Sequence, residues 1–445
     1  MLQSDLVVRS ERGSRRTDIF TERESNVRSY CRRFPSVFAT AKNHLLTDED
    51  GNVFIDFLSG AGVLNYGHNN SAIVERVTRY IEGNGVVQGL DLHTTAKRDF
   101  LVAFDSLILQ PRKLRYKVQF TGPTGSSAVE AALKLARRVR PNRGIVAFTN
   151  AYHGMTLGAL AATGDGTMRS AAGQPLQGVV RMPFEGFLGN DVDTLKYIDA
   201  LLDDPGSGVD LPAAFIVETV QAEGGLKVAS RQWLQGLAEL AARYGILLIV
   251  DEIQTGCGRT GPFFSFEDAG ITPDIVCVSK SIGGIGFPMA LVLMKESLDV
   301  WSPGEHIGTF RGNNLAFVAA SAALETYWRD PAFEQDTRRK GQIMTERLTD
   351  MAARCRKGRA SVRGRGMIQG LEWDDTDVAA AISRLAFQHG LIVETCGSRE
   401  QVLKLLPPLT IDDAGLTAGL DVLDDAVDEF QASVHPPLKV ARHIA

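Results

Sequence analysis

Uninterrupted apolar runs recur along the chain, each closed by a polar or glycine turn: "GIVAFT" (144–149), "AAFIVE" (213–218), "GILLIVDE" (245–252) and "DIVCVSK" (274–280). Short β-branched runs of this kind, without alternation, read as strands buried on both faces. "YKVQF" (116–120) reads as another strand, and it precedes "SSAVEAALKLARRVR" (126–140). There Val129, Ala132, Leu133 and Ala136 fall on one face of a helix. "NSAIVERVTRYIEG" has the same period and stops at Gly83, while "LLTDEDGNVFIDFLSG" reads as two strands around an Asp-Gly turn. No long helical pattern separates "GILLIVDE" from "DIVCVSK"; only a polar loop and "PFFSFEDAG" lie between them. Alternating β and α segments with continuous apolar strands predict an α/β fold with a mostly parallel, doubly covered sheet.

Beyond residue 330 the pattern changes. Charged helices lead to "VRGRGMIQGLEW", "HGLIVET" and "VLKLLPPLT", then to the helical "GLTAGLDVLDDAVDEF". This predicts a smaller α/β unit packing with the amino-terminal strands. No internal repeat or low-complexity tract is present.

Composition narrows the function classes. With 445 residues, 44% hydrophobic and 23% charged, the chain can bury a large core and a second, smaller one. A formal net charge of −5 gives no reason to expect nucleic acid or an anionic membrane as a partner. No apolar stretch approaches a bilayer-spanning length. Five cysteines (Cys31, Cys257, Cys277, Cys355, Cys396) form no CxxC pair, and the arginine-rich start "MLQSDLVVRSERGSRRTDIF" lacks the apolar core of a secretion signal. Reduced thiols in a cytoplasmic protein are the expectation.

Three features carry candidate chemistry. "GPTGSSAVEAALKLA" (122–136) opens a Gly/Ser/Thr turn into a helix, which points N–H groups and the helix dipole at an anion. Alone it is equally a capped helix. Asp251 and Glu252 end an apolar strand, where open α/β sheets hold ligands. In isolation "LLIVDE" also fits the magnesium-binding strand of a nucleotide hydrolase. That reading needs GxxxxGK[ST], and "GPTGSSA" has no lysine after its second glycine. Lys280 ends another strand; it either snorkels at a rim or is desolvated into a nucleophile. Together the three match the needs of pyridoxal phosphate. The phosphate needs a helix amino terminus, the ring nitrogen an anion, and the aldehyde an amine for a Schiff base. A metal is the weaker reading of Asp251, because no histidine or second acid stands at ligand spacing.

In "GPTGSSAVEAALKLAR", "AYHGMTLGAL", "VETVQAEGG", "LLIVDEIQTGCGRTG", "DIVCVSKSIGGIGFPMA" and "GTFRGNNLA" the chain resembles the class III (ω-) aminotransferases among fold-type I pyridoxal-phosphate enzymes. "FLSGAGVLNYGHNN", "GLDLHTTAKR", "GPFFSFEDAGI", "MALVLMK" and "GEHIGTFRGNN" resemble the branch acting on diaminobutyrate in the ectoine pathway. The likeness runs over roughly residues 22–425. It implies a large domain (66–328) with a mostly parallel seven-stranded sheet. It also implies a small α/β domain from both termini (22–65 and 329–445), and leaves 1–21 as a flexible arm.

The resemblance also implies roles. Lys280 would hold the cofactor and shuttle a proton, and Asp251 would pair with the ring nitrogen. Gln254 would lie near the ring's 3-hydroxyl, with Tyr152 stacking on the ring and His153 supporting that wall. Gly125 and Ser126 would bind phosphate, joined by Thr309 from the neighbouring subunit of a homodimer or higher homo-oligomer. Glu218 would flank the cofactor, and Glu223 would gate a carboxylate-binding cation. The chain departs from the pattern in places. Lys404 stands before "PPL" where arginine is common, and a lysine cannot clasp a carboxylate bidentately. Arg311, in place of a commoner glycine, could supply that fork. Met155 replaces an arginine of 4-aminobutyrate transaminases, and Ala222 replaces a frequent glycine. The implied reaction passes the amino group of L-glutamate to a terminal aldehyde, with L-aspartate 4-semialdehyde the first expectation. An ornithine or diamine transaminase is the alternative within the family, a nucleotide hydrolase the one outside it.

Overall fold

The computed structural model describes residues 19–141, 143–356 and 358–433. Of the arginine-rich arm 1–21, therefore, only residues 19–21 are described. Three short strands come first: β1 (Phe38–Lys42), β2 (Leu45–Asp48) and β3 (Val53–Asp56). They form an antiparallel meander with the expected turn around Gly51 between β2 and β3.

The next strands are β4 (Tyr116–Phe120), β5 (Ile145–Phe148), β6 (Val179–Met182) and β7 (Ala214–Val217). A two-stranded hairpin, β8 (Val220–Gln221) and β9 (Lys227–Val228), precedes β10 (Leu247–Asp251), β11 (Ile275–Val278) and β12 (Leu291–Lys295). Seven of these form one sheet in the order β4-β12-β11-β10-β7-β5-β6. Six run parallel; β12 alone runs against both its neighbours. Neither β6 nor β12 is among the strands picked out by hydrophobic pattern.

Unbroken apolar strands follow from burial on both faces. Leu248 and Val250 of β10 enter one core with Phe148, Phe215 and Val276, under the helices Thr95–Phe104, Arg231–Tyr244 and Asn314–Tyr327. Leu247 and Ile249 enter the opposite core with Ile145, Ile216 and Cys277. The Gly125–Val139 helix covers that side with Val129, Ala132, Leu133 and Ala136, the four residues expected on its buried face. Each fully buried Leu, Ile, Val or Phe contributes roughly 1.5–3 kcal/mol, so few backbone alternatives compete with this packing. Between β10 and β11 the only helical piece is the short 3₁₀ turn Ser265–Ala269.

A further sheet comprises β13 (Ala360–Arg365), β14 (Ile368–Trp373), β16 (Glu394–Cys396) and β17 (Val402–Leu405), while β15 (Leu391–Ile392) pairs in parallel with β3. The helices Ala332–Arg354, Thr376–Gln388 and Asp413–Ser433 close a separate core with them, centred on Met344, Leu371, Ile382, Leu403 and Leu420. Phe57, just after β3, is fully buried in that core. Among the described residues no helix is long and apolar enough to cross a membrane.

Candidate active site

Because β10 and β11 are parallel neighbours, their carboxyl ends open on the same edge, and Asp251 pairs in register with Cys277. Asp251 is the last residue of β10 and Lys280 follows β11 by two residues. Both line one cavity of about 350 Å³, within the range of roughly 300–1,000 Å³ usual for small-molecule sites. Gly125, Ser126, Tyr152, His153, Glu218, Glu223 and Gln254 line it too.

Asp251 is 4% exposed. One carboxylate oxygen accepts the Ile253 N–H at 3.0 Å and the other faces His153 Nδ1 at 2.8 Å. Burial opposes protonation of His153, but its hydrogen bond to Asp251 and that charge hold the imidazole above its ordinary value. The backbone of Lys280 sits at φ +55°, a strained conformation that functional sites retain when their surroundings enforce it. Its Nζ donates to the Ala61 carbonyl at 2.9 Å, which also accepts Gln254 Nε2 at 3.1 Å. Burial lowers the Lys280 amine to about 8, against the pull of Glu223, so a neutral amine is available near neutrality.

At the far end the Gly125–Val139 helix begins with Thr124 as its cap, accepting the Ser127 N–H at 3.2 Å. By helix geometry the N–H groups of Gly125 and Ser126 have no carbonyl one turn back and remain for an anion. Gly154 brings the following loop onto this cradle. At φ +125°, a Cβ there would lie 2.2 Å from Ser126 Oγ. Tyr152 forms a wall, its N–H donating to Glu218 at 2.8 Å. Burial raises Glu218 to about 7, only partly offset by His153.

Lys404 stands behind the cavity, fully buried, 2.6 Å from Glu223, 3.1 Å from Glu394 and 3.4 Å from Gln254 Oε1. Burial disfavours both charges of the Lys404–Glu223 pair, yet each holds the other ionised: Glu223 lies below its ordinary value and Lys404 above.

Thr309 and Arg311 are not brought to this cavity in the same chain. Their segment pairs with residues 88–89 (Gly89 N–H to Gly312 O at 2.9 Å), which holds it at the surface. Thr309 is exposed there. In this chain the Arg311 guanidinium is engaged by Asp91 and the His306 carbonyl, away from Lys404. Sequence reasoning passed over Tyr30, Ala61, Gly154 and Glu394. The glycines flanking Ala61 in "SGAG" were a turn signal, but nothing local marks Tyr30 or Glu394.

An amine, a buried anion and an open helix terminus around one cavity fit pyridoxal phosphate, whose aldehyde, ring nitrogen and phosphate require those three partners.

Comparison with known proteins gives the same picture. The aminotransferase class-III family matches residues 29–427. A diaminobutyrate–2-oxoglutarate transaminase of Bordetella parapertussis is 52% identical over 425 residues, covering 95% of this chain and 98% of its own. An uncharacterized aminotransferase of Sinorhizobium fredii is 55% identical over 408 residues, covering 92% of this chain and 91% of its own. Among solved structures, an ornithine aminotransferase from Toxoplasma gondii, with PLP in partial occupancy at its active site, aligns at a TM-score of 0.82. It is 25% identical, covering 94% of this chain and 96% of its own.

Proposed function

This chain belongs to the class-III aminotransferases, and from that premise we propose the following reaction. The enzyme takes the amino group of L-glutamate through pyridoxal phosphate and delivers it to the terminal aldehyde of L-aspartate 4-semialdehyde. The products are 2-oxoglutarate and L-2,4-diaminobutyrate. The observation that carries the reading is the placement of Lys280 and Asp251 at two adjacent strand ends around one cavity. Likeness to relatives named for diaminobutyrate supports the substrate, as does Met155, which offers no cation for a distal carboxylate. Family membership removes the nucleotide hydrolase as a reading of Asp251 and the glycine loop.

Bound pyridoxal phosphate supplies an aldehyde that carries the amino group and a ring that takes up the electrons released at the reacting carbon. Lys280, neutral above about 8, takes the proton from the substrate's reacting carbon and returns one on the other side of the transfer. Asp251, fixed by the Ile253 N–H and His153, would hold a proton on the ring nitrogen of the bound cofactor through its charge. Gly125 and Ser126 would bind the phosphate, and Tyr152 with His153 would keep one ring face dry. Lys404 offers its charge to the glutamate carboxylate when Glu223 yields its place.

Thr309 completes the phosphate site of a second copy of the chain, making the working unit a homodimer. Val86, Val87, Leu90, Leu92, Ile307 and Phe310 are each about half exposed or more around it, an apolar surface suited to association. The test of the reaction is a half-reaction spectrum. Glutamate should bleach the enzyme's visible absorbance, and aspartate 4-semialdehyde should restore it with formation of diaminobutyrate. Bleaching followed by preferential recovery with the ornithine-derived aldehyde would replace this substrate with the alternative.

A further inference from the structure

A second cavity, about 670 Å³, adjoins the first and shares Tyr30, Tyr152, Met168 and Glu223 with it. A substrate that reacts at its terminal carbon must send its other end away from Lys280, and this outer cavity lies past those shared residues. Glu394 lines it and is 2% exposed. One Glu394 oxygen accepts the Tyr30 phenol at 3.1 Å. The other, Oε1, lies 3.1 Å from the Lys404 ammonium but is buried with no hydrogen-bond partner. Glu223 already takes the closer contact to that ammonium, 2.6 Å. Two buried carboxylates thus share one lysine, and Glu394 Oε1 is the oxygen left without a donor beside a cavity. A buried polar atom in that position is costly until a donor reaches it.

Resting on the functional reading above, we propose that Glu394 is the specificity residue for the ammonium on the carbon that does not react. The outer cavity is thereby the seat of an α-amino acid head group. A substrate ammonium supplies the missing donor for Glu394 Oε1. The carboxylate on the same carbon meets Arg33, which also lines the cavity. Arg33 now donates to Thr395 at 2.9 Å and pairs at 2.5 Å with Glu400, whose side chain is 55% exposed. An exposed pair of that kind gives way at little cost. An ω-amino acid without a second amine leaves Glu394 unmatched, and polar sites reject ligands that leave their groups unpaired.

L-2,4-diaminobutyrate and 4-aminobutyrate differ only in that ammonium, so the test compares their kcat/KM as donors to 2-oxoglutarate in the holoenzyme. The wild type should prefer diaminobutyrate at least about tenfold. Glu394→Gln should cut the ratio about tenfold or more, Glu394→Asp should recover part of it, and Tyr30→Phe should lower it by a smaller factor. The ratio cancels effects on the glutamate half-reaction, which both donors share. An unchanged ratio in Glu394→Gln overturns the assignment, as does equal loss of both donors. If that variant does not load cofactor, the wild-type preference decides, and its absence overturns the proposal. A wild type that bleaches with glutamate but shows no preference sinks only the role of Glu394. One that neither bleaches nor accepts either donor sinks the functional reading itself.

Discussion

Asp251 already has both carboxylate oxygens engaged, one by its own loop and one by His153. Asp251→Asn keeps the shape and loses the charge. Turnover should fall on the order of 10²–10³-fold while cofactor affinity in a titration changes far less, since the phosphate cradle is separate. Gly154→Ala attacks that cradle instead, because its methyl would collide with Ser126 Oγ; pyridoxal-phosphate titration should show affinity weakened by about tenfold or more. Glu252 differs from its neighbour. It is 1% exposed and accepts bonds from Ser265, Thr255 and Phe266, so it holds the loop after β10. Burial raises its carboxyl from 4.5 to about 7 despite those bonds. The folded protein therefore keeps a proton that the unfolded chain has released. The resulting stability is complete below about 4.5 and is lost as pH rises through about 7. In thermal melts across that window, the wild type should lose ground steadily relative to Glu252→Gln. Asp251 and Lys280 were legible in sequence because each ends an apolar run. Glu394 was not, since its meaning lies in contacts with residues 223 and 404 that no local pattern encodes.

Among the elements, β5, β7, β10 and β11 announced themselves by unbroken apolar runs, whereas β12, equally buried on both faces, was passed over. Direction is hidden as well: an apolar run such as "LVLMK" reads the same for a parallel or an antiparallel neighbour, and β12 is antiparallel. The run of left-handed residues at Ser59–Gly62 that brings the Ala61 carbonyl to Lys280 was only half legible, as a glycine turn. Asp56 holds it locally through the Leu58 and Ser59 N–H groups, and Ser281 holds the Gly62 carbonyl from a distant part of the chain. Arg259 is the tie between the β10 loop and the second core. Fully buried, it donates to the carbonyls of Met367 (3.0 Å) and Pro407 (2.5 Å) and to Asn65 (2.5 Å). Arg259→Met would strand three acceptors, and should lower stability by about 3–5 kcal/mol in urea unfolding of the holoenzyme.

At the scale of the whole molecule, the proposed dimer makes a prediction that a monomer cannot. Lys280→Ala and a bulky Thr309→Arg should each be inactive alone. Mixed and reassembled, they should regain activity, because a heterodimer has one site with both native residues. Retention of activity by Thr309→Arg, or no recovery on mixing, would place Thr309 outside the site. In the segment 304–313 the resemblance carried by "GTFRGNN" was the one sequence signal for this, since Ile307 and Phe310 are exposed and belong to no buried pattern.

The parallel pairing of β15 with β3 draws an early and a late stretch of the chain together, and with them Tyr30, Glu394 and Lys404. The residues proposed to handle the cofactor within one chain all fall between 125 and 280. Catalyst and taste are thus written in different stretches of the gene. A recombination event that exchanged only the ends could pass an altered appetite for amines to descendants while the inherited chemistry stayed whole.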